Sequence, residues 1–307
     1  MVGIMFLLDR IALFSLFGFL QFAAVVSFVH SPSLAQRYVD SSYSCPSKTT
    51  SRIMPSTRLQ MAKATVTFMD SLSKAASDAL GRAVQLEPSR GGGYSGGGGA
   101  STSAVSDTTT GTKYFVKSAS GEEASNMLRA EYLGVKAMAD TNTIRVPTPV
   151  AFGTHENPAL GGRSQAFVIF EYLEFAGGGS QYELGQQLAK MHQNTSKNGK
   201  FGFEVDNTIG ATFQPNLPWM DNWADFWDEH RLGHMLKLTN DAGYDPATIA
   251  TLRQKTRALL SHNPAPSLIH GDLWGGNKGF CKEGDKVVPC IFDPAAYVSR
   301  ILVLLSF

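Results

Sequence analysis

Apolar positions along the chain recur first at helical spacing. Val66, Met69, Leu72, Ala76, Leu80 and Val84 share one face and predict a helix from about Ala62 to Gln85. The same period returns from Glu123 to Ala139, where Met127, Leu128, Ala130, Leu133, Val135 and Met138 lie on or near one side. It also returns from Tyr182 to His192 with Leu184, Leu188 and Met191, over the aromatic stretch Asp221 to Leu238, and from Pro246 to Leu260. Tyr114–Lys117 reads as a short strand and Ala166–Phe170 as a buried one, with Val146-Pro-Thr-Pro149 as punctuation between helix and sheet. Two further apolar runs, Leu268-Ile269 and Ile291-Phe292, flank a turn at Glu283-Gly-Asp285. Helices predominate after residue 175, and no internal repeat is present.

The chain opens differently. Ile11–Val26 is apolar except for Ser15 and Gln21, follows Arg10 and ends in small residues, as a signal peptide does. A transmembrane anchor is the competing reading, because the run through Val29 just reaches the length a bilayer needs. Residues 28–63 are rich in Ser and Thr, carry Arg37, Lys48, Arg52 and Arg58, and have Asp40 as their one acid. That composition resembles an organelle transit peptide, and the tandem arrangement resembles the bipartite presequences of algal plastids that lie inside a secretory-derived membrane. The expected address is the plastid (chloroplast), with contact with membrane only in transit; a secreted or signal-anchored protein is the alternative.

Composition narrows the class without choosing a function. A chain 43% hydrophobic and 17% charged can bury a core, which excludes wholesale disorder and fibrous architecture. A net charge of +1 gives no electrostatic case for nucleic acid as a partner. Cys45, Cys281 and Cys290 are too few for a disulfide framework and lack the spacing of a structural zinc site. Function must therefore rest on a local site.

The strongest local signal is His270-Gly-Asp-Leu-Trp-Gly-Gly-Asn277, followed by Asp293. Phosphoryl transfer from a nucleotide requires an oriented acceptor hydroxyl and a metal to hold phosphate charge. An aspartate in a tight loop (Asp272) can accept the hydroxyl proton, and an asparagine five residues on (Asn277) can share a metal with a later aspartate (Asp293). Each residue alone could serve a turn; their joint spacing, with an apolar run before each acid, favours chemistry. His270 is read as holding the loop. Upstream, the glycine cluster Gly91–Gly99, the strand lysine Lys117, a helix with Glu131 and an apolar strand follow one another in the order of a kinase-like small lobe.

HGDLWGGN, IFDPAAY, KFGFEVDNTIGATFQPN and NWADFWDEHRL are together similar to the fructosamine-3-kinase (ketosamine-3-kinase) family, a branch of the aminoglycoside-phosphotransferase-like kinases. The similarity runs from about residue 64 to Tyr297. It implies an α+β, bilobal, protein-kinase-like fold, with a small antiparallel-sheet lobe over residues 64–174 and a mainly helical large lobe over 175–307. It implies ATP and Mg2+ as cofactors, and phosphorylation of the sugar 3-hydroxyl of ketoamines, either small molecules or glycated protein lysines. Carried over by residue, Asp272 is the base, Asn277 and Asp293 the metal ligands, Lys117 the lysine on the nucleotide phosphates and Glu131 its helix partner. Gly96 and Gly97 belong to the phosphate loop, Glu171 and Leu173 to a hinge offering backbone groups to adenine, and Trp274 to the substrate side, with core filling as its alternative.

The chain departs from that pattern in two places. The glycine loop is longer and has Tyr94 where several members carry a cysteine, so this loop lacks the thiol that a redox switch there would use. Only fourteen residues follow Asp293, and the last of them are mostly apolar. The expectation is a large lobe short of packing partners, with exposed apolar surface and no turnover. Two other readings compete: a phosphotransferase acting on an aminoglycoside or amino alcohol, and a non-catalytic nucleotide-binding remnant.

Overall fold

The computed structural model describes residues 55–95, 100–157, 163–239, 243–262 and 264–300, with the side chains of 55–67 and 90–95 outside that description. Residues 1–54 of the leader segments, and Gly96 and Gly97, therefore lie outside the described residues, whereas 55–63 at the end of the transit-like segment belong to the first helix. Among the described residues no helix is long and apolar enough to cross a membrane.

Helix α1 (Pro55–Leu80) ends where Gly81 takes φ 65°, a left-handed stop that glycine adopts without strain. The sequence pattern had carried this helix on to Gln85. Strands β1 (Leu86–Ser95), β2 (Ser101–Asp107) and β3 (Lys113–Ser120) follow as an antiparallel meander, then α2 (Glu122–Ala139), β4 (Pro149–Asn157) and β5 (Arg163–Glu171). The five strands form one antiparallel sheet in the order β1-β2-β3-β5-β4. The first half of the glycine cluster is thus not loop: it belongs to β1, whose register shifts between Pro88 and Gly93 before Gly93–Ser95 pair with β2.

Both faces of this sheet are covered, which explains why Ala166–Phe170 is apolar at every position. Phe167 and Ile169 join Leu72 and Ala76 of α1, while Ala166, Val168 and Phe170 join Leu128, Val135 and Met138 of α2. All five strand residues are at most 2% exposed, and each large one contributes about 1.5–3 kcal/mol by its burial. The same alternation along β3 sends Tyr114 and Val116 toward α1 and leaves Phe115 and Lys117 on the opposite face.

The second lobe is mainly helical. Its α3 (Gln181–His192) is capped by Ser180, whose hydroxyl accepts from Glu183 N at 3.2 Å. A short hairpin, β6 (Asn207–Ile209) and β7 (Thr212–Gln214), precedes the aromatic helix. That helix is not continuous: α4 (Trp223–Trp227) passes through a π-helical turn at Asp228–Gly233 into α5 (His234–Leu238). At the turn the buried Asp228 receives Arg253 at 2.8 and 2.9 Å and also Arg257, both from α6 (Pro246–Leu259), so the wide turn is held by ion pairs. Buried Arg231 from the same turn lies between the rings of Phe226 and Tyr297, 4.8 and 4.1 Å from their centroids.

Two antiparallel pairings finish the described chain. β8 (Ser267–Ile269) pairs with β11 (Tyr297–Ser299), and β9 (Lys278–Glu283) with β10 (Lys286–Ile291). Cys281 and Cys290 are wholly buried in that second hairpin, where burial pushes both thiols up, Cys290 to about 12.

Candidate active site

The loop after β8 is built around a residue with no side chain. Gly271 has φ 80°, and a Cβ there would lie 1.9 Å from the carbonyl oxygen of Ala295. This close approach explains why His-Gly-Asp stands where kinases of proteins carry His-Arg-Asp. It also lets the wholly buried imidazole of His270 reach the Phe292 carbonyl with Nε2 at 3.0 Å, while Nδ1 accepts from Asp272 N at 3.3 Å. Only the neutral ring protonated on Nε2 satisfies both bonds. Burial pushes His270 down to about 4, and buried His192 beside it is pushed down to about 4 by the same cause.

Asn277 draws the two acids together. Its Nδ2 donates to Asp272 O at 2.9 Å, to Asp272 Oδ2 at 3.2 Å and to Asp293 O at 3.2 Å. Asp293 itself has φ 58°, an uncommon conformation for a residue with a side chain, and its carboxylate is half exposed. Burial and then the charge of Asp293 push the Asp272 carboxyl above its ordinary range, against the hydrogen bond from Asn277.

Lys117 completes the cluster from the sheet. Its Nζ is 2.7 Å from Glu131 Oε1 and 2.6 Å from Asp293 Oδ1. Burial works against the ammonium, but the attraction of Glu131 and Asp293 outweighs it and holds Lys117 above the usual lysine range. Burial also raises Glu131, so its ionised form depends on Lys117. Helix α2 can bring Glu131 this close because Gly134 packs on the segment after Asp293; a Cβ there would sit 3.1 Å from Ala296 and 3.3 Å from Pro294.

Part of this cluster lines a cavity of about 610 Å³, whereas Asp272, Trp274 and Asn277 lie outside its lining. Lys117, Glu131, Asp293, Glu171 and Leu173 all line it. The carboxylate of Glu171 is committed elsewhere: it takes Arg145, Thr148 N at 3.1 Å and Thr148 Oγ1 at 2.7 Å, so main chain is what this residue can offer a ligand. Trp274 is 57% exposed and fills no core; it packs over Gly276, where a Cβ would lie 2.3 Å from the indole. Arg145, His192 and Gly271 escape a reading of residue types, because their roles come from contacts distant in sequence. Only the unusual glycine of the His-Gly-Asp string could have signalled one of them.

Among the described residues no group of three or more His, Cys, Asp or Glu side chains could hold a metal by itself. Asn277 and Asp293 nevertheless offer the hard oxygen donors that suit magnesium, which commonly takes only one or two protein ligands when phosphates and water complete its shell. The residues present fit that ion.

A sheet-borne lysine paired with a helix glutamate, facing an aspartate loop across a cavity, makes this a bilobal kinase-like fold of α+β class. Its family is narrower. The chain belongs to the fructosamine kinase family, whose sequence profile matches residues 69–300. It is 43% identical over 188 residues to a probable ketoamine kinase of Synechocystis, a match covering 60% of this chain and 59% of that protein. It is also 43% identical over 176 residues to a chloroplastic protein-ribulosamine 3-kinase of Arabidopsis thaliana, covering 56% of this chain and 51% of that one. The chain thus matches between half and three fifths of the length of these relatives. Among solved structures, a Haemophilus somnus protein provisionally named fructosamine-3-kinase superposes with a TM-score of 0.57 at 26% identity, covering 74% of this chain and 72% of that one.

Proposed function

We propose that this protein is an ATP-dependent ketosamine 3-kinase of the plastid, phosphorylating the sugar 3-hydroxyl of ribulosamines or fructosamines on small amines or on protein lysines. The observation that carries the reading is the meeting of Lys117 and Asn277 on Asp293 beside Asp272. The names of the relatives favour a ketoamine acceptor, and the chloroplastic ones, with the two-part leader, favour the plastid.

In this reading Asp272 orients the acceptor hydroxyl and takes its proton, helped by a carboxyl raised toward the working pH. Lys117 binds nucleotide phosphate oxygens, and Glu131 fixes the lysine. Asn277 and Asp293 would hold magnesium, which when bound neutralises charge on the phosphates. His270 keeps Asp272 in place through the main chain, and the exposed ring of Trp274 stands on the acceptor side. Gly96 and Gly97 are assigned to nucleotide binding on the family resemblance.

The test is acceptor choice. Full-length protein with ATP and magnesium should phosphorylate a ribulosamine or fructosamine, and an aminoglycoside or an amino alcohol only weakly. Preference for either of the latter acceptors would overturn the reading, as would magnesium-dependent ATP binding with no transfer to any of them.

A further inference from the structure

Phe175 is large, apolar and 57% exposed, yet its main chain is fixed. The residue bridges to Cys281, Ala176 N donates to Phe280 O at 2.8 Å, and Lys282 N donates to Glu174 O at 2.8 Å. Segment Glu174–Ala176 is thereby laid along β9 as a short extra strand. The ring lines the same cavity as Lys117 and Asp293, and one edge meets Phe292, with centroids 5.2 Å apart and planes at 65°. It stands over Gly279, where a Cβ would come within 3.3 and 3.4 Å of its ring atoms. An open position on β9 is thus filled by an aromatic ring from the connection that follows the hinge. On the sheet side of the cavity Phe115, two residues before Lys117, also lines it.

We propose that Phe175 is the platform on which the nucleotide base stacks, with Phe115 covering the base from the sheet. An exposed ring on an anchored main chain is preorganised, so a base gains apolar contact without ordering a loop. The slot joins a hinge that can offer main-chain groups at Glu171 and Leu173 to the phosphate-binding Lys117, so one ligand can span all three. This inference rests on the nucleotide-kinase reading above and adds the residue that selects for a flat heterocycle.

Binding to full-length protein separates the two claims without any turnover. Phe175→Ala should weaken magnesium ATP about 5- to 150-fold, the range that single aromatic–base stacks give, and leave magnesium tripolyphosphate within about twofold. Phe175→Tyr should bind ATP as the parent does, and Phe175→Leu should fall between. ATP affinity indifferent to Phe175→Ala would overturn the inference while leaving the kinase reading intact. Equal loss of tripolyphosphate would overturn it too, by showing a disturbed cavity rather than a lost stack. A parent protein that binds no ATP would sink both.

Discussion

Asn277 donates from Nδ2 to the main-chain oxygen of Asp293 at 3.2 Å, closing the two ends of the β9–β10 hairpin on each other. Because the same nitrogen reaches Asp272, both aspartates, the proposed base and the proposed metal ligand, are set by one amide. The site is a single unit, and removing its members should give separable defects.

Asp272→Ala should lower turnover by about 10²–10⁴-fold while leaving magnesium ATP affinity nearly unchanged, because the proposed role of the residue is toward the acceptor. Asp293→Ala should weaken both turnover and magnesium-dependent ATP binding. Kinetics and equilibrium titration on the same preparations check the split; more than a tenth of parental rate in Asp272→Ala would refute its role. The raised Asp272 carboxyl should also place the acid limb of the rate profile above the ordinary aspartate range.

Glu131→Gln keeps the shape of the helix residue but removes a charge that holds Lys117. ATP affinity should drop by about tenfold or more, since charge-assisted hydrogen bonds contribute about 1.5–3 kcal/mol. A nucleotide titration showing parental affinity would mean that Asp293 alone positions the lysine.

Gly271→Ala should be among the most damaging conservative changes in the protein. Its Cβ would meet a carbonyl oxygen at 1.9 Å and its φ of 80° is strained for alanine, so a loss of at least about 3 kcal/mol is expected. Thermal melts of the variant and the parent decide this.

Acid should destabilise the fold through His192 and His270. Both stay neutral in the folded protein down to about 4, whereas the unfolded chain takes up protons near 6.5. Their contribution is complete above the unfolded value and is lost as pH falls toward the folded one, by up to about 1.4 kcal/mol per histidine per pH unit. Melting temperature followed across that window should fall, and His192→Gln should flatten the slope.

Long periodic segments were legible in the sequence. Glu123–Ala139 differs by one residue from α2, and Pro246–Leu260 by one from α6. Local pattern failed where partners far along the chain decide. The glycine cluster reads as loop by composition, yet pairing with β2 makes half of it strand. Asp221–Leu238 reads as one helix because nothing local reveals that Asp228 receives two arginines from α6 across a π turn. At the site, spacing pointed to Asp272, Asn277 and Asp293 together. It could not reveal that Glu171 turns its carboxylate to Arg145, or that Phe175 faces the cavity.

The pairing of Lys117 with Glu131 and Asp293 bears on the protein's own chemical vulnerability. Reducing sugars condense with lysines only through the uncharged amine, and only where the open-chain aldehyde can reach it. Lys117 is 13% exposed and is kept protonated by its two carboxylates. In the proposed reading this is an amine that a deglycating kinase could not lose, and its burial and its two carboxylates would make it a poor target for the chemistry that creates such an enzyme's substrates.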